Sequence, residues 1–288
     1  MNALRIRNIF LFSITSEYKC EGKKLGVEIE NVRKDVRMRA ESDPIMSNAW
    51  LLIYLIPILA IIMGVLSVLF IIITGAMPGP PSPPAPTALA VFPLVIVAGL
   101  LGIISFIVSI ILRYKLVNRR NTHFKRQSFL YEDLISAVKT IAGKKGVDIT
   151  VGLSACDRTV REARAEETEK SAVLWAILSA IPWIGTLIEW YINYFLMKDL
   201  YKHERREDGF LEDVSKVLSK TDVAFSLPKR REATPDRSFV LYLILTIITL
   251  GLFGIYWIYV LLKDPNEHFR YHVQVEDELL SALETIAI

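Results

Sequence analysis

The residue type that could carry chemistry in this 288-residue chain is histidine, which occurs four times. His123, His203 and His268 each follow a tyrosine by nine positions, and His272 lies four residues after His268. Two imidazoles at i and i+4 share one face of a helix and can bind a metal ion together. The pair lacks an H-E-x-x-H motif, so we favour rings that hydrogen-bond at a membrane interface, and we expect no bound metal.

Glu189 is the one acidic residue well inside an apolar segment, and Asn193 lies one helical turn further on. An ionisable side chain at membrane depth is a functional candidate by default, here as part of a path for a proton or a cation. The alternative is a structural carboxyl group that is hydrogen-bonded within a helical bundle or reached by water at a bend. The structural role carries the larger weight.

Signatures of catalysis are absent from the sequence. It contains no G-x-S-x-G, no phosphate-binding G-x-x-x-x-G-K and no dinucleotide fingerprint. The two cysteines, Cys20 and Cys156, do not form a C-x-x-C pair, which excludes a cysteine-based zinc site and a disulfide framework. We therefore expect a protein that is not an enzyme and that has no catalytic residues and no cofactor.

Four apolar segments must position these residues. Hydrophobic residues make up 52% of the chain and charged residues 23%. Because both fractions are high at once, the two classes must be sorted into separate blocks along the chain. The four apolar segments run from Trp50 to Thr74, Ala88 to Leu112, Ala172 to Met197 and Phe239 to Leu262. Each reaches the roughly 20 apolar residues that cross a bilayer as a helix. The sequence thus predicts an all-α integral membrane protein.

The third and fourth apolar segments contain helix breakers near their centres. Pro182 and Gly185 interrupt the third, and Gly251 and Gly254 interrupt the fourth. Such residues permit tight turns, so both segments are predicted to fold back as re-entrant hairpins beside one spanning helical hairpin. The alternative is a pair of kinked spans, since membrane helices tolerate proline and glycine.

An internal repeat links the histidines to the apolar segments. Each copy has a leucine seven positions before its histidine and an acidic pair nine and ten positions after it. The pairs are Glu132-Asp133, Glu212-Asp213 and Asp277-Glu278. We predict one module used three times, in which a polar helix leaves the membrane and a short amphipathic helix follows, with the acidic pair at its start. The three amphipathic faces are expected to pack on one another.

Charge predicts the sidedness of these modules. Basic residues follow the second, third and fourth apolar segments, whereas the Pro-rich loop 75–87 has no charge, so the arms and the C-terminus are predicted to be cytoplasmic and this loop to lie outside. Acidic residues balance the basic ones to a net charge of +3, which argues against nucleic-acid binding. Anionic lipid headgroups of the bilayer are the expected partners of the basic runs, together with a second copy or another protein.

The chain is thus divided into seven regions. Residues 1–47 form a charged segment without helical period, apart from a weak strand-like alternation at Leu25, Val27 and Ile29. We expect no cleaved signal in it, and Met46 is an alternative to Met1 as the start. The other regions are the membrane hairpin 48–113, arm one 114–170, the third segment 171–197, arm two 198–236, the fourth segment 237–262 and arm three 263–288.

The run T-L-G-L-F-G-I-Y-W from Thr249 to Trp257, with the exit Leu261 to Asn266, resembles a family of small prokaryotic membrane domains of unknown function that carry a T-x-G-I-Y-G-I-Y-W core. The resemblance covers about a tenth of the chain and implies a prokaryotic membrane location. From the four apolar segments we expect a multi-pass protein of the cell membrane. Because the family has no established activity, it implies no chemistry. We expect a membrane scaffold or membrane-shaping protein, with a transporter or channel subunit that uses Glu189 as the alternative.

Overall fold

The computed structural model describes residues 24–76 and 85–287, and within these ranges the chain is helical and contains no strand. The helices are α1 (24–37), α2 (Arg39–Ser42), α3 (Leu52–Ala76), α4 (Ala85–Lys145), α5 (Thr150–Glu166), α6 (Ala172–Ser179), α7 (Gly185–Lys220), α8 (Phe239–Ile248) and α9 (Leu252–Ala287), with a 3-10 turn at Asn48–Leu51. Most of the Pro-rich loop 75–87, which was predicted to lie on the outer side of the membrane, is not among the residues that the structure describes.

A long antiparallel hairpin is formed by α3 and α4. Within the described residues, these two helices are long and apolar enough to cross a membrane. The Ser105 hydroxyl donates to the carbonyl of Ile53 at 2.7 Å and so joins the two helices. With 61 residues, α4 extends about 90 Å, far past any bilayer, so its second half must leave the apolar zone.

The third and fourth apolar segments each form a short helix, a turn and a long helix. The short helices α6 and α8 have 8 and 10 residues and measure about 12 and 15 Å, about half of a bilayer core. The chain reverses its direction before Gly185, and a glycine is needed there because an added Cβ would lie 2.3 Å from the Ser179 carbonyl oxygen. Both segments are interrupted near the predicted breakers, between Ser179 and Gly185 and between Ile248 and Leu252, and each reverses its direction there.

Backbone conformation identifies which bend residues matter. Gly251 has φ +93°, the conformation that favours glycine, whereas Gly254 does not, and a Cβ there would meet only Thr246 Cγ2 at 3.6 Å. Two large apolar residues at the tips also have positive φ, Trp183 at +69° and Leu250 at +51°. Their side chains are 95% and 94% exposed, so the tips present bare apolar surface.

The three arms differ from the prediction in one respect. The expected short amphipathic helices are the C-terminal parts of α4, α7 and α9, which run without a break through the acidic pairs. The prediction that these pairs begin helices was wrong. Nothing at those positions stops the backbone hydrogen bonding, because the flanking sequences hold neither proline nor a capping turn.

The arms pack together into one hydrophobic core, as predicted, and we call this assembly the arm bundle. Helices α1 and α5 also contribute to it. The strand-like expectation for the N-terminal segment was wrong, because Leu25, Ile29, Val32 and Val36 are all buried and their spacing is that of one helical face. Alternation at three positions was too short a pattern to decide between the two structures.

The repeat has a physical basis in three stacked layers. Eleven residues make about three helical turns, so positions eleven before and eleven after each histidine lie on the same helix face. The preceding layer, Leu112, Ile192 and Trp257, and the following layer, Leu134, Val214 and Leu279, are all at most 2% exposed. The histidines form the middle layer, between an apolar core formed by the apolar segments and the core of the arm bundle.

Candidate metal centre

All four histidines of the chain meet in this middle layer, which we call the histidine layer. His123 is on α4, His203 on α7, and His268 and His272 on α9, and each is at most 1% exposed. His123 Nε2 lies 3.2 Å from the Nε2 atoms of His203 and His268, and His268 Nε2 lies 3.0 Å from that of His272. One nitrogen from each ring falls within 4.8 Å of all the others.

Each ring presents its other nitrogen to a carboxylate. This arrangement fixes the orientation of an imidazole and is the usual second contact of a histidine that binds a metal ion. The Nδ1 contacts are His123 with Asp43 at 2.9 Å, His203 with Glu167 at 3.0 Å, His268 with Glu204 at 3.2 Å and His272 with Glu276 at 2.8 Å.

The carboxylates decide the tautomers of His123 and His203. An ionised carboxylate only accepts hydrogen bonds, so both Nδ1 atoms carry a proton and donate it. In a neutral imidazole the Nε2 atom then has a lone pair and no proton. Two such lone pairs face each other across 3.2 Å. Their repulsion is relieved when a cation lies between them.

The pKa values of the surrounding groups agree with this assignment. Burial would raise the pKa of Asp43, but the contacts with His123 and Arg126 hold it well below its usual range. Burial opposes the shift of Glu167 as well, and its contact with His203 lowers the pKa to about 2. Burial lowers the pKa of His123 to about 4. At neutral pH both carboxyl groups are therefore ionised and the His123 ring is neutral.

Glu207 is a fifth candidate ligand. Its side chain is 2% exposed, and Oε1 lies 2.7 Å from His272 Nε2. Burial lowers the pKa of His272, but Glu207 and Glu276 raise it to about 9. Without a metal ion His272 is therefore protonated at neutral pH, and an ion that binds its Nε2 would displace that proton.

Three arginines partly neutralise these acids. Arg126 joins Asp43 and Glu276 at 2.7 and 2.8 Å, Arg206 binds Glu167, and Arg230 binds both Glu204 and Glu207. With the His272 ring deprotonated, as a metal ligand must be, five carboxylates against three guanidinium groups leave two negative charges in the buried cluster. A divalent cation among the histidines would balance them, and buried charge is costly unless it is balanced.

The basic runs therefore have a role that the sequence did not reveal. The basic runs after the second apolar segment include Arg119, Arg120 and Arg126. The runs were expected to face lipid headgroups, but these three residues are at most 7% exposed. Arg120 instead binds Asp199 at 3.0 Å, between α4 and α7. In the second copy, Arg206 holds a carboxylate of the histidine layer.

Sequence reasoning found His123, His203 and His268 and their common register, but it missed the acids around them. One signal was available at position +4 of each copy, where Gln127, Glu207 and His272 share the face of the histidine. His272 is in turn followed at +4 by Glu276. The expectation of interfacial rings was wrong, because all the rings are buried in protein.

Glu189 and Asn193 lie elsewhere, in the apolar first part of α7. Glu189 Oε2 lies 3.2 Å from Nη2 of Arg113, and Asn193 Oδ1 accepts from Nη1 of the same arginine at 3.2 Å. Arg113 is 2% exposed, so this is an ion pair within the hairpins rather than a single acid. The predicted neighbours are brought together, about three to four helical turns from the histidine layer along α7.

Residues 237–286 match the model of a family described as a domain of unknown function (DUF4234). The matched region covers α8 and nearly all of α9, and so includes His268 and His272. It confirms a small domain of unknown function in this part of the chain. No curated protein and no solved structure matches the chain.

Proposed function

We propose that this chain is a multi-pass membrane protein whose three repeated arms are clamped together by one buried transition-metal ion. The ion would be bound by Nε2 of His123, His203, His268 and His272, with Glu207 beside it. The protein would act as a membrane scaffold rather than as an enzyme.

The observation that carries the metal proposal is the approach of His123 Nε2 to His203 Nε2 at 3.2 Å, with both Nδ1 atoms committed as donors. A tetrahedral ion with bonds of about 2.0–2.1 Å to nitrogen separates its ligands by about 3.3 Å. The three shortest distances in the layer, 3.0 to 3.2 Å, approach that spacing.

The ligand set favours a structural ion. Neutral imidazoles suit zinc, copper, iron and nickel, and four protein ligands fill a tetrahedral shell. Catalytic zinc sites instead keep one position open for water or substrate. With four imidazoles and a carboxylate around one point, all of them buried, the site favours a clamp and supports the expectation that the protein is not an enzyme.

The membrane part of the proposal rests on exposed apolar surface. Residues on α3 and α4 such as Ile61, Leu66 and Ile103 are 59–66% exposed, and the hairpin tips carry Trp183 and Leu250. Such a surface is unfavourable in water and favourable in lipid. Because α6 and α8 reach only about half of the bilayer, the two short hairpins would occupy one leaflet, as wedges, on the side of the arm bundle.

A transporter that uses Glu189 finds less support. An acid that carries protons or cations must exchange its partners, whereas Glu189 is held by Arg113. Breaking a buried ion pair leaves a charge without compensation, which is costly. The pair is better explained as part of the hairpin packing.

Elemental analysis tests the metal clamp. The protein should be purified without a polyhistidine tag, since the native chain then has no histidine outside the layer. It should be stripped with a chelator and offered zinc, copper, nickel or iron ions in turn. We expect about one ion per chain for at least one metal. His203→Ala should lose it, and Lys202→Ala, an exposed neighbour on α7, should keep it.

Folding is followed in the same samples by circular dichroism and size-exclusion chromatography. If His203→Ala does not fold, the wild type still decides the question. A helical, monodisperse wild type that takes up none of the four metals would refute the clamp. Failure to sediment with membranes would refute the other half of the proposal.

A further inference from the structure

A second polar site lies between the three hairpins, on the membrane side of the histidine layer. It is a cleft of about 380 Å³. Tyr54 of α3, Arg113 of α4, Glu189 of α7 and Trp257 of α9 line it, together with Gly251 and Leu250 at the tip of the last hairpin. All three copies of the repeat contribute to it, and its walls are otherwise mostly apolar.

Three hydrogen-bond donors in the walls have no acceptor among the described residues. They are the phenol oxygen of Tyr54, the Nε of Arg113 and the indole nitrogen of Trp257. Arg113 is 2% exposed and Trp257 is 0% exposed, so neither donor is compensated by water. A buried donor without a partner costs free energy, and three around one cleft indicate a ligand that supplies acceptors.

The charges of the cleft narrow the chemistry of that ligand. Arg113 is already paired with Glu189, so the site has no net positive charge to attract a simple anion. Glu189 contacts Arg113 through Oε2, and because its side chain is 32% exposed, its Oε1 can bind a cation while that ion pair stays intact. The cleft thus offers a group of donors and a carboxylate side by side, which suits a ligand with a negative and a positive end.

The geometry points to the headgroup of a zwitterionic phospholipid with a primary ammonium group. We propose that its phosphate oxygens bind Arg113, Tyr54 and Trp257, and that its ammonium group binds Glu189. Since these donors are already desolvated, a phosphate that reaches them gains hydrogen bonds at little further cost to the protein. The acyl chains would lie along the apolar hairpin tips.

This inference rests on membrane insertion but not on the metal clamp. To test it, the purified protein is exchanged into mixed micelles that contain equal amounts of phosphatidylethanolamine, phosphatidylglycerol and phosphatidylcholine. Lipid retained per chain is then measured by mass spectrometry. We expect phosphatidylethanolamine to be retained at least about fivefold over each of the others, the factor that one or two hydrogen bonds provide.

Two variants test the donors and one tests the carboxylate. Tyr54→Phe and Trp257→Phe should each lower retention about two- to tenfold, the range of one hydrogen bond. Tyr256→Phe, at a half-exposed tyrosine of α9, is the control and should retain lipid as the wild type does. Glu189→Gln should shift the preference from phosphatidylethanolamine toward phosphatidylglycerol, because the ammonium group loses its partner.

Equal retention of the three lipids, or wild-type retention in both donor variants, would overturn the proposal. So would a Glu189→Gln protein with an unchanged lipid preference. A wild type that sediments with membranes and retains no lipid would also refute it while leaving the proposed function intact. Helical content of every variant is checked by circular dichroism, and Tyr54→Phe alone suffices if Trp257→Phe does not fold.

Discussion

Glu167 accepts a hydrogen bond from Nδ1 of His203 at 3.0 Å, although the two residues belong to different helical regions and lie 36 positions apart. Glu167 also binds Arg206, and its side chain is 8% exposed. Its neighbour Glu166 has a half-exposed side chain and touches no histidine. Glu167 therefore belongs to the site around the histidine layer, whereas the adjacent Glu166 has the same chemistry and does not belong to it.

This pair provides a matched test of the metal clamp. Glu167→Gln keeps the shape of the side chain but weakens the orientation and basicity of His203, so metal affinity should fall roughly 10- to 100-fold. Glu166→Gln should leave affinity within about twofold of the wild type. Competition with a chelator of known affinity measures both. Equal affinities for the two variants would remove the carboxylate from any role in metal binding.

The bend at Gly251 gives a second matched pair. Gly251→Ala places a Cβ at φ +93° and should lower the free energy of unfolding by about 1–2 kcal/mol. Gly254→Ala adds a Cβ in ordinary contact with Thr246 and should be neutral or slightly stabilising, since alanine is the better helix former. Thermal unfolding in detergent measures the difference. A reporter fused after Ile288 should stay on the cytoplasmic side in Gly254→Ala. In Gly251→Ala it should be degraded or reach the outer side.

Sidedness follows from the packing of the arms. Because α4, α7 and α9 end in one bundle, single cysteines at Ser128, Ser215 and Ser281 should all be labelled from the cytoplasmic side, in a background that lacks Cys20 and Cys156. A cysteine at Ser82, in the Pro-rich loop, should be labelled from outside. Impermeant maleimide on intact cells and on inverted vesicles separates the two cases. Label reaching position 215 from outside would restore four straight spans.

Asp35 on α1 predicts a pH dependence of stability. Burial, and then the neighbouring carboxylate of Asp133, raise its pKa from 3.8 to about 7. A group whose folded pKa is raised binds its proton more tightly in the native state. The free energy of unfolding should therefore fall as the pH rises from about 4 to about 7, and stay low above that.

Asp35→Asn should remove that part of the dependence and raise stability at pH 8, because the amide carries no charge to bury. Unfolding midpoints at pH 5 and pH 8 measure it. Glu278→Gln, at an exposed position of α9, is the control and should follow the wild type. If Asp35→Asn is no more stable than the wild type at pH 8, Asp35 is ionised in the native state without cost.

Periodicity, breakers and register could be predicted from the sequence, because they depend on residues close together along the chain. Pro182, Gly185, Gly251 and the common spacing of the histidines belong to this group. The partners of the rings could not be predicted, because Asp43 and Glu167 come from connecting segments that lie 80 and 36 positions from their histidines. Nothing local distinguishes Glu167 from Glu166.

The helix α1 shows a different limit. Its four buried hydrophobic residues mark a helical face, but acidic and basic residues between them lower the contrast of the pattern. Burial against α4 and the rest of the arm bundle, rather than propensity, stabilises that helix. The short stretch from Leu25 to Ile29 fits both the two-residue period of a strand and the 3.6-residue period of a helix. The longer stretch through Val36 fits only the helical period.

Two of the four imidazoles and Glu276 belong to α9, the last of the described helices. During synthesis from the N-terminus, α4 and α7 supply one ring each, and a pair of rings holds an ion weakly. Until α9 docks, the proposed site would lack His268 and His272, half of its imidazoles. Capture of the proposed ion would thus wait until the third hairpin, α8 and α9, has folded, and a chain that stalls before that point would stay loose and open to proteolysis.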